Sequence, residues 1–236
     1  MNYSALRSEI VSARPDIDIS EVDRAYEFSK KAHGDQKRYS GEDYIAHPVE
    51  AARILMDLDP DLSSIQACLL HDVTEDTDVK IGTIEKTFGK DVAALVNAME
   101  KMAVIKVKKE DQQVENWKKM FLAMAKDIRV VFIKLSDRLH NMRTLEFVPQ
   151  HKRERIARET LFVHAAIASR LGIYKIKSEM EDLCFKYLCP EPFAELSAAV
   201  SKFSKESEED MAFAPSQIEQ LLVREGVNVR EVSGRR

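Results

Sequence analysis

The chain has 236 residues, of which 44% are hydrophobic and 32% are charged, and its formal net charge is −4. This slightly acidic balance argues against a general nucleic-acid-binding protein, which would usually carry a basic excess, but it allows a local basic pocket for a small phosphorylated ligand. Three cysteines cannot form a paired framework, no apolar run approaches the roughly 20 residues that span a bilayer, and the N-terminus lacks the apolar core of a signal peptide. We therefore expect a reduced, cytoplasmic protein with no membrane and no nucleic acid as direct partner.

Few glycines and prolines, seven of each, together with many Ala, Leu, Glu and Lys residues, favour an all-α fold. Several helix-start signals precede apolar-periodic segments. Ser20–Asp23 resembles a capping box, Pro48 suits a first helical turn, and Asp91 can cap the helix after Gly89. We predict about ten helices, the main ones covering in chain order about 20–32, 48–59, 63–76, 82–89, 92–99, from 115 to past 127, 128–145, 151–171, one more up to 188, and 216–225.

The segment 128–145 carries the clearest helical pattern. Its apolar residues recur at intervals of four, three, four and three, at Ile128, Phe132, Leu135, Leu139 and Met142. This spacing is typical of a buried helical stripe. The run 130–133 could instead form a strand, but the period extends too far along the chain for that, so we favour the helix.

Three stretches lack a helical pattern. Residues 106–115 are charged without an apolar period and predict a mobile loop, and residues 201–210 are polar and are expected to be solvated. Residues 227–232 alternate like a strand that has no evident partner in a helical protein. They form either an extended tail or the first strand of a part that is absent from this chain.

The most informative feature is the pair His71–Asp72, followed by Glu75 and Asp76. On a continuous helix, His71 and Glu75 are four residues apart, as are Asp72 and Asp76, so each pair would line one face. The residues before them are apolar, and a buried charge persists when it is paired or bound to metal. A metal-dependent hydrolase is therefore the first hypothesis.

His47, at the start of one predicted helix, and Asp137, in the middle of another, complete an ordered set of two imidazoles and two carboxylates. Such a set suits a six-coordinate ion such as manganese, iron or magnesium, whereas zinc more often takes four ligands. Each residue also has a plain structural interpretation. His47 alone reads as a hydrogen-bonded loop residue, Asp137 with Arg138 as a surface ion pair, and Glu75–Asp76 as a solvated helix end.

The order of these residues resembles that of the HD-domain metal phosphohydrolases. Longer segments between Ser20 and Pro190 resemble the hydrolase domain of RelA/SpoT-type alarmone enzymes of the stringent response: Ala32–Pro48, Leu69–Thr77, Phe88–Ala93, Met124–Thr144 and Ala168–Ile173. The resemblance implies an HD-domain helical bundle of about ten helices around a mononuclear metal site. It also implies manganese-dependent (Mn2+) removal of the 3′-pyrophosphate of (p)ppGpp, which yields GDP or GTP and pyrophosphate.

The resemblance assigns roles position by position. The metal ligands are matched by His47, His71, Asp72 and Asp137. The acidic pair that activates the attacking water is matched by Glu75 and Asp76. The substrate-binding positions are matched by Arg38 against the guanine base, Ser40 and Tyr44 in the pocket, and Asn141 and Thr144 near the ribose and the 5′ side. Lys134, one turn before Asp137, is expected to be a surface lysine.

The resemblance also implies a domain organisation. Residues 1–190 would form the HD-type hydrolase domain, 191–229 a helical linker, and 230–236 the start of a missing synthetase domain. The chain would then be the N-terminal piece of a bifunctional enzyme with a C-terminal synthetase domain. A natural single-domain hydrolase with a remnant tail is the alternative.

Two departures from the family pattern leave rival functions open. Tyr39 stands where the family commonly has a second cation, and Glu100 adds negative charge near a polyphosphate. One rival is a hydrolase of the same superfamily that acts on another nucleotide, such as NADPH or a dNTP. The other is a catalytically weak module that senses guanine nucleotides and regulates a synthetase.

Overall fold

The computed structural model describes residues 3–103, 126–206, 208–229 and 232. The chain divides into two units, Met1–Leu188 and Cys189–Arg236. Apart from one isolated β-bridge between Lys37 and Asp43, all regular secondary structure in the described residues is helical. The all-α prediction is therefore confirmed for this part of the chain. The predicted loop at 106–115 and most of the helix predicted at 115–127 lie outside it.

The helices of the first unit follow one another with short connections. They are α1 Tyr3–Ala13, α2 Ile19–His33, α3 Ala46–Met56, α4 Leu62–Leu70, α5 Val73–Asp76, α6 Ile81–Phe88, α7 Lys90–Ala103, α8 Ile128–Arg143, α9 Gln150–Glu159, α10 Ala166–Arg170 and α11 Tyr174–Leu188. A 3-10 turn at Leu145–Phe147 follows α8, and a π-helical turn at Thr160–Ala165 joins α9 to α10.

Two of the predicted caps are wrong. The cap of α2 is Asp18, whose carboxylate accepts a hydrogen bond from the backbone N–H of Ser20, the residue that we expected to cap the helix. Asp91 lies inside the first turn of α7, which begins at Lys90. Its carboxylate accepts hydrogen bonds from Arg129 instead.

Arg129 gathers carboxylates from the starts of three helices. Its guanidinium donates to Asp61 at 2.8 Å, to Asp91 at 2.8 and 2.9 Å, and to Asp127 at 2.7 Å. Asp61 is the N-cap of α4 and Asp127 is the N-cap of α8. One side chain thus connects α4, α7 and α8 at the same end.

The helix predicted from Ser63 to Asp76 is divided at His71–Asp72. Asp72 has ψ −9°, far from the value near −42° of a regular α-helix, so the chain turns before α5. The ring Nδ1 of His71 donates to the carbonyl oxygen of Cys68 at 2.7 Å and ties the turn to α4. The expectation that residues 71–76 lie on one continuous helix is therefore wrong.

Helix α8 lies in the interior and carries part of the site. It packs against α3, α4, α7 and α11. Its predicted stripe is buried at Leu135, Leu139 and Met142, whereas Ile128 is 37% exposed. Because neighbours cover several sides of α8, polar residues such as Asp137 are buried as well.

The π-helical turn holds a buried imidazole, His164. Its Nδ1 has no hydrogen-bond partner among the described residues. Burial lowers the pKa of His164 well below its usual value, and the cations Arg138 and Lys134 lower it further. The folded protein therefore keeps this imidazole neutral.

We expect His164 to make the fold less stable in acid. Since its pKa is lower in the folded than in the unfolded chain, its contribution is fully present above the unfolded pKa, near 6.5, and is lost as the pH falls below that value. In the wild type, His164 should raise the unfolding equilibrium constant by about tenfold for each pH unit below the unfolded pKa. His164→Leu should remove this contribution. Urea unfolding of both proteins between pH 7 and 4.5 measures the difference, and a difference that does not change with pH would contradict the assignment.

The second unit contains α12 Pro190–Glu206 and α13 Glu208–Arg224. Helix α13 begins well before the predicted 216–225 and contains Pro215. Residues 227–229 and 232 form no regular structure, and the rest of 230–236 lies outside the described residues. Within the described residues, no helix combines the length and apolarity needed to cross a membrane.

Candidate active site

Three of the four predicted metal ligands come together from separate parts of the chain. His47 lies in the first turn of α3, His71 follows α4, and Asp137 lies in the middle of α8. One ligand atom of each lies within 4.8 Å of the other two, and all three residues are buried. The Nε2 atoms of His47 and His71 are 3.3 and 3.8 Å from Oδ1 of Asp137.

Asp72 lies beside this group of three. Its Oδ1 is 3.1 Å from Nε2 of His71, and its Oδ2 is 3.5 Å from Nε2 of His47. The hydroxyl of Tyr44 lies 2.9 Å from Oδ2, within hydrogen-bond distance. The structure therefore places all four predicted ligands in one region, with Asp72 as its outer member.

The chemistry of this donor set fits a divalent cation. Nε2 of His71 is buried and has no hydrogen-bond partner among the described residues, while Nδ1 of the same ring is fixed by the carbonyl of Cys68. One ring nitrogen that donates to a backbone carbonyl, with the other left available for the ion, is the usual arrangement of a metal-binding histidine. The two nearby carboxylates supply the negative charge that a buried cation requires.

The carboxylate of Asp137 is held from both sides. Nζ of Lys134 donates to Oδ2 at 2.7 Å, and Nδ2 of Asn141 donates to Oδ1 at 2.6 Å. Burial alone would raise the pKa of Asp137, but Lys134 and the two imidazoles lower it well below its usual value. The expectation of a surface lysine is wrong, because the Lys134 side chain is only 17% exposed.

The surroundings shift the pKa values of the two imidazoles of the cluster in opposite directions. Burial lowers the pKa of His47, against the opposing effect of nearby carboxylates. Burial would also lower the pKa of His71, but Asp72 and Asp137 raise it well above its usual value. The two carboxylates thus favour a proton on His71 when no cation is present, and a metal ion bound through this ring would compete with that proton.

Glu75 and Asp76 line an open pocket of about 650 Å³ together with Gln36. Burial raises the pKa of Glu75, and the negative charges of Asp72 and Asp76 raise it further. The hydroxyl of Tyr44 is 2.5 Å from Oδ2 of Asp76 as well as 2.9 Å from Asp72. Tyr44 thus connects the carboxylates on both sides of the turn.

Three of the predicted substrate-binding residues lie together. Nη2 of Arg38 donates to Oδ1 of Asn141 at 2.9 Å and to the hydroxyl of Thr144 at 3.3 Å. Burial lowers the pKa of Arg38. Ser40 is not brought into this group, because its hydroxyl donates to Glu42 within its own loop.

Sequence analysis missed His140. This buried residue of α8 places its Nδ1 2.7 Å from Nδ1 of His47 and 3.4 Å from Nη1 of Arg38. Burial lowers the pKa of His140 to about 3, with His47 and Arg38 contributing. Its position one helical turn after Asp137 is the signal that could have identified it.

The chain is similar to a known domain family and to curated proteins. Residues 25–174, which contain all of the predicted ligands, match the HD domain family. A probable guanosine-3′,5′-bis(diphosphate) 3′-pyrophosphohydrolase of Synechocystis sp. is 45% identical over 213 residues, which is 90% of this chain and 28% of that protein. The bifunctional (p)ppGpp synthase/hydrolase SpoT of Escherichia coli is 42% identical over 234 residues, which is 99% of this chain and 33% of that protein.

A solved structure gives a similar result. It is described as a metazoan ortholog of SpoT that hydrolyzes ppGpp, and it matches with a TM-score of 0.56 and 26% identity. The match covers 70% of this chain and 94% of that one. The chain spans about a third or less of the length of the two curated relatives described above.

Proposed function

The chain belongs to the HD domain family, and from that premise we propose that it removes the 3′-pyrophosphate of (p)ppGpp in a metal-dependent hydrolysis that gives GDP or GTP and pyrophosphate. The motif resemblance to RelA/SpoT-type hydrolases is confirmed by relatives at 42–45% identity. The observation that carries the proposal is the buried group of His47, His71 and Asp137, with Glu75 and Asp76 close by in the chain.

We propose Mn2+ as the cation, with His47, His71, Asp72 and Asp137 as its ligands. A mixed set of imidazole and carboxylate donors suits a six-coordinate ion of this kind. When bound, the ion would supply the Lewis acidity that activates water and polarises a phosphoryl oxygen. Lys134 and Asn141 keep the carboxylate of Asp137 in place for it.

In this proposal Glu75 takes the proton from the attacking water. Its raised pKa makes it a stronger base than an ordinary carboxylate. Asp76 supports this role, because its negative charge is one of the causes of the raised pKa. Tyr44 positions Asp76 and Asp72 through its hydroxyl.

The proposed substrate is a guanine nucleotide. Arg38 would pack its flat guanidinium against the base, Asn141 and Thr144 would lie near the ribose and the 5′ side, and Ser40 and Tyr44 would line the pocket. We also propose residues 1–190 as the hydrolase domain, 191–229 as a helical linker and 230–236 as the start of a synthetase domain in a longer protein. The cytoplasmic location stays a prediction.

The chain should convert ppGpp to GDP and pyrophosphate in equal amounts when Mn2+ is present and should be inactive in EDTA. Chromatographic identification of the products tests this directly, with NADPH and a dNTP assayed in parallel. Release of single phosphates, or preference for one of those nucleotides, would favour the other superfamily hydrolase. Tight binding of ppGpp without turnover would favour the sensing module.

A further inference from the structure

The contact between His47 and His140 requires a hydrogen on the Nδ1 atom of one ring and a lone pair on the Nδ1 atom of the other. Their Nδ1 atoms are 2.7 Å apart, a distance at which one nitrogen donates and the other accepts. If His47 donates, its Nε2 has a lone pair directed at the ligand cluster. If His140 donates, a neutral His47 carries its proton on Nε2 and cannot bind a cation through that atom.

Arg38 decides between these alternatives. A guanidinium has only donors, and Nη1 of Arg38 approaches the same Nδ1 of His140 at 3.4 Å. This contact is as long as those of His47 with the carboxylates, but the positive charge of the guanidinium disfavours a proton on the nitrogen that faces it. Nδ1 of His140 therefore keeps its lone pair, and the proton between the two rings belongs to His47. The direction of donation runs from both Arg38 and His47 toward His140.

The same guanidinium orients a second chain of hydrogen bonds. Nη2 of Arg38 donates to Oδ1 of Asn141 at 2.9 Å, so the amide nitrogen of Asn141 faces the other way. That nitrogen donates to Oδ1 of Asp137 at 2.6 Å. Because Arg38 can only donate, it sets the direction of the contacts that lead to two proposed metal ligands. It reaches Asp137 through Asn141 and His47 through His140.

The carboxylates near His47 would instead favour a proton on its Nε2, but their distances to that atom are longer. Nε2 of His47 is 3.3 Å from Asp137 and 3.5 Å from Asp72, beyond the usual range of 2.7–3.2 Å for an N–H···O hydrogen bond. The bond to His140 lies at the short end of that range. The 2.7 Å contact with His140 therefore constrains the His47 ring more than the carboxylates do, and the charge of Arg38 decides which ring donates.

We propose that His140 is a positioning residue that accepts the Nδ1 proton of His47 and so directs the Nε2 lone pair at the metal site before a cation arrives, with Arg38 setting the direction. Arg38 then has a role beyond contact with the nucleotide base. This inference rests on the metal-binding part of the proposed function and does not depend on the nucleotide.

Titration with Mn2+ alone tests the role of His140. His140→Leu should bind Mn2+ about 10–100-fold more weakly, the usual loss when a partner behind a metal ligand is removed. His140→Asn should stay close to wild type, because its side-chain oxygen can take the place of Nδ1 as the acceptor. His164→Leu is the matched control, since it also replaces a buried histidine with leucine, and it should keep wild-type affinity. Wild-type affinity in a folded His140→Leu protein would overturn the proposal.

Nitrogen NMR of the histidine rings in the metal-free wild type provides a second measurement that needs no variant. We expect His47 with its proton on Nδ1 and His140 with its proton on Nε2. A proton on Nε2 of His47 would overturn the proposal, even if His140→Leu fails to fold. If the wild type binds no Mn2+, the proposed function fails, while this spectrum still decides the inference.

Arg38→Met tests the direction of donation. It keeps an unbranched side chain but removes every donor, so we expect weaker Mn2+ binding and a mixture of both His47 tautomers. A role confined to stacking on a base would leave both readouts unchanged in the absence of nucleotide. Unchanged readouts would therefore overturn the assignment of Arg38.

Discussion

Glu75→Gln should lose most of its turnover of ppGpp, by about 10²–10⁴-fold, the usual contribution of a general base. The amide has nearly the shape of the carboxylate but cannot take a proton from water. Because Glu75 is outside the group of ligand atoms around His47, the variant should keep its fold and its Mn2+ affinity. Initial rates at saturating ppGpp, together with a Mn2+ titration, measure both quantities on one preparation.

Glu85→Gln on α6 is the control for the loss of an exposed glutamate charge, and it should turn over ppGpp like the wild type. Wild-type hydrolysis by Glu75→Gln would remove Glu75 from the catalytic role. A joint loss of turnover and Mn2+ binding would instead make Glu75 a ligand, which contradicts the separation that we propose.

Asp137→Asn should lose Mn2+ binding and turnover together. The substitution removes the carboxylate that contacts both imidazoles, and we expect a loss of affinity larger than the roughly 10–100-fold typical of a residue behind a ligand. It also leaves the ammonium of Lys134 without its partner in a largely buried position, so the variant should unfold more easily. Mn2+ titration and urea unfolding measure the two effects separately.

The double variant Lys134→Met with Asp137→Asn separates stability from metal binding. It should recover much of the stability, because no unpaired charge remains, and it should still bind no Mn2+. Asp23→Asn, which loses its contacts with Arg7 and Tyr3, is the matched control for the loss of a paired carboxylate outside the site, and it should bind Mn2+ normally. Stoichiometric Mn2+ in folded Asp137→Asn would rule out the proposed ligand set.

The convergence of His47, His71 and Asp137 was predictable from the sequence because these residue types occur in a characteristic order within recognisable motifs. The contact of Asp72 with the hydroxyl of Tyr44 was not, since the two residues are 28 positions apart in the chain. The position of His140 one helical turn after Asp137 indicates that it lies near the site, but its partner could not be predicted, for a similar reason. Its contact with His47 exists only because α3 packs against α8.

Helical periodicity predicted most of the helices but not their interruptions. The π-helical turn at Thr160–Ala165 leaves the apolar pattern on both sides intact, so the sequence reads as one helix. The break at His71–Asp72 depends on the backbone angles of Asp72, and the spacing of apolar residues does not predict these angles. Helix α1 escaped prediction because its buried face consists of only Leu6 and Ile10.

The hydrogen bonds of Arg129 with Asp61, Asp91 and Asp127 fix the start of α8. They thereby determine which residues of α8 face the ligand cluster. Each residue of an α-helix advances the chain by 1.5 Å and rotates it by about 100°. A slip of one residue at Asp127 would therefore carry the carboxylate of Asp137 well away from the imidazoles.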